Sequence, residues 1–385
     1  MKKHLKNCYF RMGAVSIKKA GKWLTVLLVS LLAGGTAGMI YTNQLSAIRR
    51  EETALQSEME SLLEEASSQQ QLQSSQPEEE GPVNPLTGLP IEEGQEDCRP
   101  VAVMINNIKK AQPLLGVQDA DILYECLVEG GITRIMAVYQ DSQEIPVIGS
   151  IRSARPYYIH LASSLDAIYV HVGGSTQAKN LLKKGLVTDY DLGSMEQYMW
   201  RDPDRRAEMG YEHSAVTSGQ KLTEAMDKKE TRVTRKEDIV QPASFSQESP
   251  VQEGKDTSNV SVTFSSYKST DFSYDPQKGS YLVSQFDKPQ IDGNTQQQQQ
   301  VSKENVMILR INTYPIDDYG LMAMDLAGSG EGYYLHGGKR IEIQWSRKTE
   351  DSPFVFTTAQ GDPLSFLPGQ FYICCVPLES RISFS

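Results

Sequence analysis

Cysteine is scarce in this 385-residue chain, with Cys8 near the start and only Cys98, Cys126 and the adjacent Cys374 and Cys375 farther on. Four thiols spread over that length exclude a dense disulfide framework, so a hydrophobic core has to hold the fold. They are expected to be free thiols rather than a Cys98–Cys126 bridge. Histidine is equally scarce, with five residues and no His-Glu-x-x-His or paired-cysteine metal pattern, so no metal and no cofactor are expected. Positive charge is the third shortage. The formal net charge of −11 includes seven basic residues in the first 22, so the remainder carries −18. Sequence-independent binding to nucleic acid depends on Lys and Arg neutralising phosphates, which excludes nucleic acid as the general partner.

What is present begins with a basic segment, residues 1–22, followed by an uncharged apolar run from Trp23 to Tyr41. About 20 apolar residues span a bilayer, whereas the core of a cleavable signal is usually about 7 to 15 long. The run is therefore expected to be a retained signal-anchor, with cleavage near Gly35-Thr36-Ala37 as the competing reading. The basic flank stays in the cytoplasm, which puts the rest of this single-pass chain outside the cell membrane. No cysteine follows the run closely, which argues against a lipid anchor. Residues 42–83 read as a helical stalk, with Leu45, Ile48, Leu55, Met59 and Leu62 on one stripe, passing into a flexible spacer of Ser, Gln and Glu.

Order returns at Asn84. Val101–Asn106, Ile122–Tyr124, Arg134–Tyr139 and Ala167–Val172 are short apolar runs bounded by Gly, Asp or Asn, the pattern of strands covered on both faces. Pro156–Leu165 and Ser175–Lys184 read as helices, with Pro in a first turn and Ser as N-cap. The expected fold class is α+β, with an α/β layered domain over 84–240 followed by a smaller, mostly β domain over 260–380. A polar tract, 241–259, is expected as the linker. Gly337-Gly338 between two strand-like runs signals a two-residue hairpin.

The chain resembles the YerB-like bacterial cell-envelope family, whose two domains have no assigned function. The resemblance runs from about Asn84 to Pro377. It rests on Asn84–Pro90, Arg99–Asn107, Ala120–Glu125, Val128–Arg134, Ile148–Pro156 and Asp166–Ser175, and more weakly on Asn305-Val306, Gly328–Gly332, Ile343–Trp345 and Ser352-Pro353. It implies a fold and an envelope location but no reaction. Two departures stand out: the lipid-modified cysteine common in the family is missing, and His213-Ser214 replaces an expected His-Asn.

Function therefore has to come from residues. Arg134, Arg152 and Arg155 can hold a carboxylate or phosphate in paired hydrogen bonds, and Arg152 and Arg155 precede a helix start. Gly173, Gly174 and Ser175 open the next helix and are the second candidate anion cradle. His171, His213, Glu125 and Glu129 are the candidates for proton transfer, and the bland reading pairs the arginines with Glu125, Glu129 and Asp166 in a structural network. Ser265–Lys268 matches Ser-x-x-Lys, but the partner motifs of that enzyme class are missing. Two functions remain open. One is a non-enzymatic module that binds an anionic wall polymer or an envelope protein; the other is a hydrolase or transferase acting on a phosphodiester or glycan.

Overall fold

A computed structural model describes residues 81–237, 239, 244–294 and 299–385. The expected membrane span, the stalk up to residue 80 and most of the Gln296–Gln300 run lie outside the described residues. Among the described residues no helix is long and apolar enough to cross a membrane.

The fold is mixed α+β and mostly β, with four α-helices among the described residues. Its centre is a large sheet. In chain order the principal strands are β1 (Val101–Asn107), β2 (Ile122–Leu127), β3 (Thr133–Tyr139), β4 (Ile168–His171), β5 (Thr188–Asp191), β6 (Asn305–Arg310), β7 (Gly328–His336), β8 (Lys339–Arg347) and β9 (Phe371–Val376). Across the sheet they run β8-β7-β6-β9-β2-β3-β1-β4-β5. β9 lies parallel to both β6 and β2, and β4 lies parallel to both β1 and β5. The sheet is therefore continuous from one expected domain into the other. The hairpin between β7 and β8 turns at Gly337 and Gly338, with φ of 59° and 74°.

β1, β2, β3 and β9 are buried along their whole lengths, which explains their unbroken apolar runs. On one face, helix α1 (Pro156–Ser164) sets Tyr157, Tyr158 and Leu161 against Met104, Tyr124 and Met136. Tyr158 ties two strands together there, because its hydroxyl donates to the Arg134 carbonyl (2.5 Å) and accepts from the Cys126 amide (3.0 Å). On the other face a second sheet, including Asn259–Thr263, Ser269–Asp275 and Ser280–Gln285, adds Val262, Phe272 and Val283 to a core shared with Ile105, Leu123 and Ile308. Helix α2 (Thr176–Leu182) follows β4, and its N-cap Ser175 accepts from the Ala178 amide at 3.1 Å. Helices α3 (Pro203–Met209) and α4 (Gly219–Lys228) complete the set. Cys98, Cys126, Cys374 and Cys375 are free thiols.

The expected linker needs correction. Its described part, 244–259, is packed: Ser244–Phe245 pairs with Ser365–Phe366, Val251 is fully buried, and Lys255–Asp256 adds to the edge of β8. A polar segment can dock with few apolar anchors when its own side chains satisfy its backbone. Here Ser249 and Gln252 form a capping box at the turn Pro250–Glu253.

Candidate functional site

β1, β2 and β4 point the same way, so their carboxyl ends share one edge of the sheet, the usual ligand position in layered α/β folds. The register sets Asn106 of β1 opposite Arg134 of β3, and alternation sends Arg134 to the α1 side with Met136 and Val138. Glu129 stands in the turn between β2 and β3. Its carboxylate accepts from Arg134 Nη2 at 3.2 Å, from Arg155 Nε at 3.0 Å and from Arg155 Nη2. Arg134 Nη1 also donates to the Ser153 carbonyl (2.5 Å), and Arg155 Nη1 to the Ala154 carbonyl (2.8 Å). Arg152 is held through its backbone between β1 and the segment after β4, since its amide donates to Met104 and its carbonyl accepts from Val172. Its guanidinium reaches Glu212, donating to the carbonyl at 3.1 Å and to the carboxylate at 3.5 Å.

Three guanidinium groups thus share two carboxylates, and the charges act on one another. Burial, with the Arg155 charge second, pushes Arg134 down to about 10. Burial also lowers Arg152, against the pull of Glu212 and with Arg155 adding to it. Burial would raise Glu129, but the hydrogen bond from Arg155 and the charge of Arg134 hold it below the usual carboxylate range. Arg134 Nε and Arg152 Nε are buried without a hydrogen-bond partner.

His213 is buried beside this group. Its Nδ1 lies 2.8 Å from Asn106 Nδ2, which can only donate, so Nδ1 accepts and the ring proton sits on Nε2. Burial first and the Arg152 charge second hold the imidazole below its ordinary range. With a folded value below the unfolded one of about 6.5, the unfolded chain binds the extra proton, so this group removes stability as pH falls below about 6.5 and has no effect above it. Arg152→Ala is expected to raise the His213 titration point, read by NMR. An unmoved titration would show that the two groups do not sense each other.

The other expected site residues go elsewhere. His171 is locked, with Nδ1 2.8 Å from the Gly173 carbonyl and Nε2 3.3 Å from Asp189. The Gly173–Ser175 segment is not the open cradle expected of it, because the Gly173 amide already donates to Asp191 (2.9 Å) and the Ser175 amide to Ala154. Gly174 packs closely, since a Cβ there would meet the Ala154 side chain at 3.3 Å and the Ala178 side chain at 3.4 Å. Glu125 lies on the opposite face of the sheet, fully buried against Lys268 at 3.0 Å. Of the structural network expected for Asp166, the partners are Arg99 and Arg232. Arg134, Arg152, Arg155, Glu129 and His213 are therefore the subset brought together.

Sequence reasoning missed Asn106, Glu212 and the neighbouring Tyr211, whose ring is flanked by Arg201 at 4.1 Å and Arg206 at 5.3 Å. A polar pair, Asn106-Asn107, ending an otherwise apolar strand was the available signal for the first. No spacing rule marks the stacked tyrosine.

The segment 86–232 matches the family model "Protein of unknown function (DUF3048) N-terminal domain", and 260–373 matches the C-terminal domain of the same description. YerB of Bacillus subtilis (strain 168), named as a candidate lipoprotein, is 32% identical over 301 residues, which covers 76% of this chain and 86% of YerB. The crystal structure of the Bacillus subtilis YerB protein superposes with a TM-score of 0.68 at 29% identity, covering 78% of this chain and 99% of that one.

Proposed function

Starting from a chain that belongs to the YerB-like family, we propose that it is a membrane-tethered, extracytoplasmic binding module whose Arg134–Arg152–Arg155 cluster receives an anionic group of an envelope polymer or partner. The relative named as a candidate lipoprotein supports membrane association, and here the apolar run Trp23–Tyr41 behind a basic segment would supply the tether. The observation that carries the binding role is the sharing of two carboxylates among three guanidinium groups, two of which keep a buried, unpartnered Nε. An incoming oxyanion would replace the weak Arg152–Glu212 contact, in which the Glu212 side chain is 72% exposed, and so would not break the core. Such a positive spot on a chain of strongly negative charge gives an anionic ligand one place to settle.

His171 has both ring nitrogens engaged, Nδ1 by the Gly173 carbonyl and Nε2 by Asp189, which leaves it no free nitrogen for acid–base chemistry. The test uses the purified exported region and a short poly(glycerol phosphate) oligomer, titrated calorimetrically at low salt. Arg152→Ala should weaken binding about tenfold or more, as loss of a charge-assisted hydrogen bond predicts. Its melting temperature should hold. Unchanged affinity would refute the site, and a large loss of stability would assign Arg152 to the structural network.

A further inference from the structure

The short turn Tyr211–His213 ends beside the arginine cluster, and the carbonyls that close a turn of this kind need partners from outside it. Here each of the three is held by a different arginine. Tyr211 accepts from Arg201 Nη1 at 2.8 Å, Glu212 from Arg152 Nη1 at 3.1 Å and His213 from Arg205 Nε at 3.3 Å. Arg205 is structural, since it is buried and also donates to Ala111, Pro113 and Ser150. Arg201 is placed differently: its guanidinium lies 4.1 Å from the centre of the Tyr211 ring, with that of Arg206 at 5.3 Å. The ring is 57% exposed, so both groups are held at the surface. A contact of this kind positions a guanidinium and leaves N–H groups free for an anion. Lys110 adds a cation beside the turn, its Nζ 3.8 Å from where a Gly210 side chain would begin.

The carboxylates around the turn leave the outer pair unneutralised. Glu212 faces Arg152. Asp202 caps α3, accepting from the Arg205 amide at 2.8 Å. Asp204 and Glu208 stand two positions to either side of Arg206 on α3, and residues two apart on a helix do not face each other. Among the described residues no carboxylate lies within ion-pair distance of Arg201 or Arg206. From the interior outward, Arg155, Arg152, Arg201 and Arg206 therefore make a row, nearly buried at Arg155 and exposed at Arg206. A single oxyanion at Arg152 would leave the outer two without a counterion. A chain of linked phosphates would engage them all.

We propose that this row binds a linear phosphodiester polymer of the envelope, with Arg206 and Arg201 taking its outer phosphates and Arg152 and Arg155 an inner one, and with Tyr211 holding the outer pair in place. This rests on the anion-binding reading of the arginine cluster and gives that ligand its class: a chain with a phosphate in every repeat, not a lone anion. The test titrates the full chain, in detergent micelles, with glycerol 3-phosphate and with its six-unit phosphodiester oligomer at several salt concentrations. The oligomer should bind about tenfold tighter or more. Its affinity should also fall more steeply with salt, by about 0.7 in the log–log slope for each further phosphate engaged. Arg206→Glu, at an exposed helix position, should weaken the oligomer about tenfold and flatten its slope while glycerol 3-phosphate binds as before. Tyr211→Leu keeps every charge and should weaken the oligomer about two- to fivefold, whereas Tyr211→Phe should match the native chain. Arg152→Ala should weaken both ligands. If it weakens neither while Arg206→Glu still weakens the oligomer, the outer pair binds alone and the cluster reading falls. The row itself fails if monomer and oligomer bind alike, or if Arg206→Glu leaves the oligomer unaffected. Tighter binding of an oligothymidylate with six phosphates would assign the row to nucleic acid and overturn the envelope polymer.

Discussion

A chain ending at residue 258 is expected to show no cooperative melting transition, whereas residues 81–385 should melt as one unit. The reason lies in β9. All six of its residues are buried, and it joins β2 from one matched segment to β6 from the other by parallel pairing on both sides. Removing it uncovers the β2 edge and the apolar faces of Tyr124 and Cys126. Full burial of a large apolar side chain contributes about 1.5–3 kcal/mol, so Phe371, Tyr372 and Ile373 alone carry on the order of 5–9 kcal/mol. That is comparable with the whole stability of an ordinary domain, about 5–15 kcal/mol. The second sheet would be lost as well, leaving Ile105 and Leu123 without cover. Circular dichroism of the truncated chain on heating is the measurement. A sharp transition there would mean that the first segment folds alone and that β9 is an accessory strand. By the same reasoning, a proteolytic nick within 244–259 should leave the two pieces associated.

Several local elements were legible in the sequence to within a residue or two, although β2 runs three residues past the expected Tyr124 and helices α3 and α4 were not foreseen. Val101–Asn107 and Ile168–His171 announce themselves as apolar runs between turn residues, and Pro156 and Ser175 mark helix starts by their backbone chemistry. Pairing across about 250 positions was not legible, because nothing in Phe371–Val376 records that its neighbour is Ile122–Leu127. Burial on both faces also erases the alternation that gives a strand its phase. Glu125 could therefore be placed near Glu129 in sequence yet project to the opposite side of the sheet. The arginine cluster was half legible. Three arginines near strand ends do gather at one edge of the sheet, but the amides of Gly173 and Ser175 are taken up by Asp191 and Ala154, and Asp191 belongs to a strand with no apolar run to reveal it. Lys268 was hidden for a similar reason: one lysine in a polar stretch reads as solvated until the strand beside it is known.

Replacing that lysine should have the largest effect of any single substitution on the buried surface between the two segments. Lys268 Nζ lies 3.0 Å from Glu125 Oε1 with both side chains fully buried. The carboxylate also accepts from Asn107 (2.8 Å), Thr133 (2.6 Å), Thr270 (2.8 Å) and Tyr372 (2.7 Å). Burial draws the Lys268 ammonium down from its ordinary value, and the Glu125 charge acts against that. Lys268→Met leaves a carboxylate in the core with only neutral donors, and breaking a buried pair in this way costs about 3–5 kcal/mol. Glu125→Leu with Lys268→Met removes both charges and should recover most of that loss, since an apolar replacement of a buried pair is often neutral. Denaturant unfolding of the two single variants and the double variant measures the coupling. Equal losses that simply add would show that the pair is no pair.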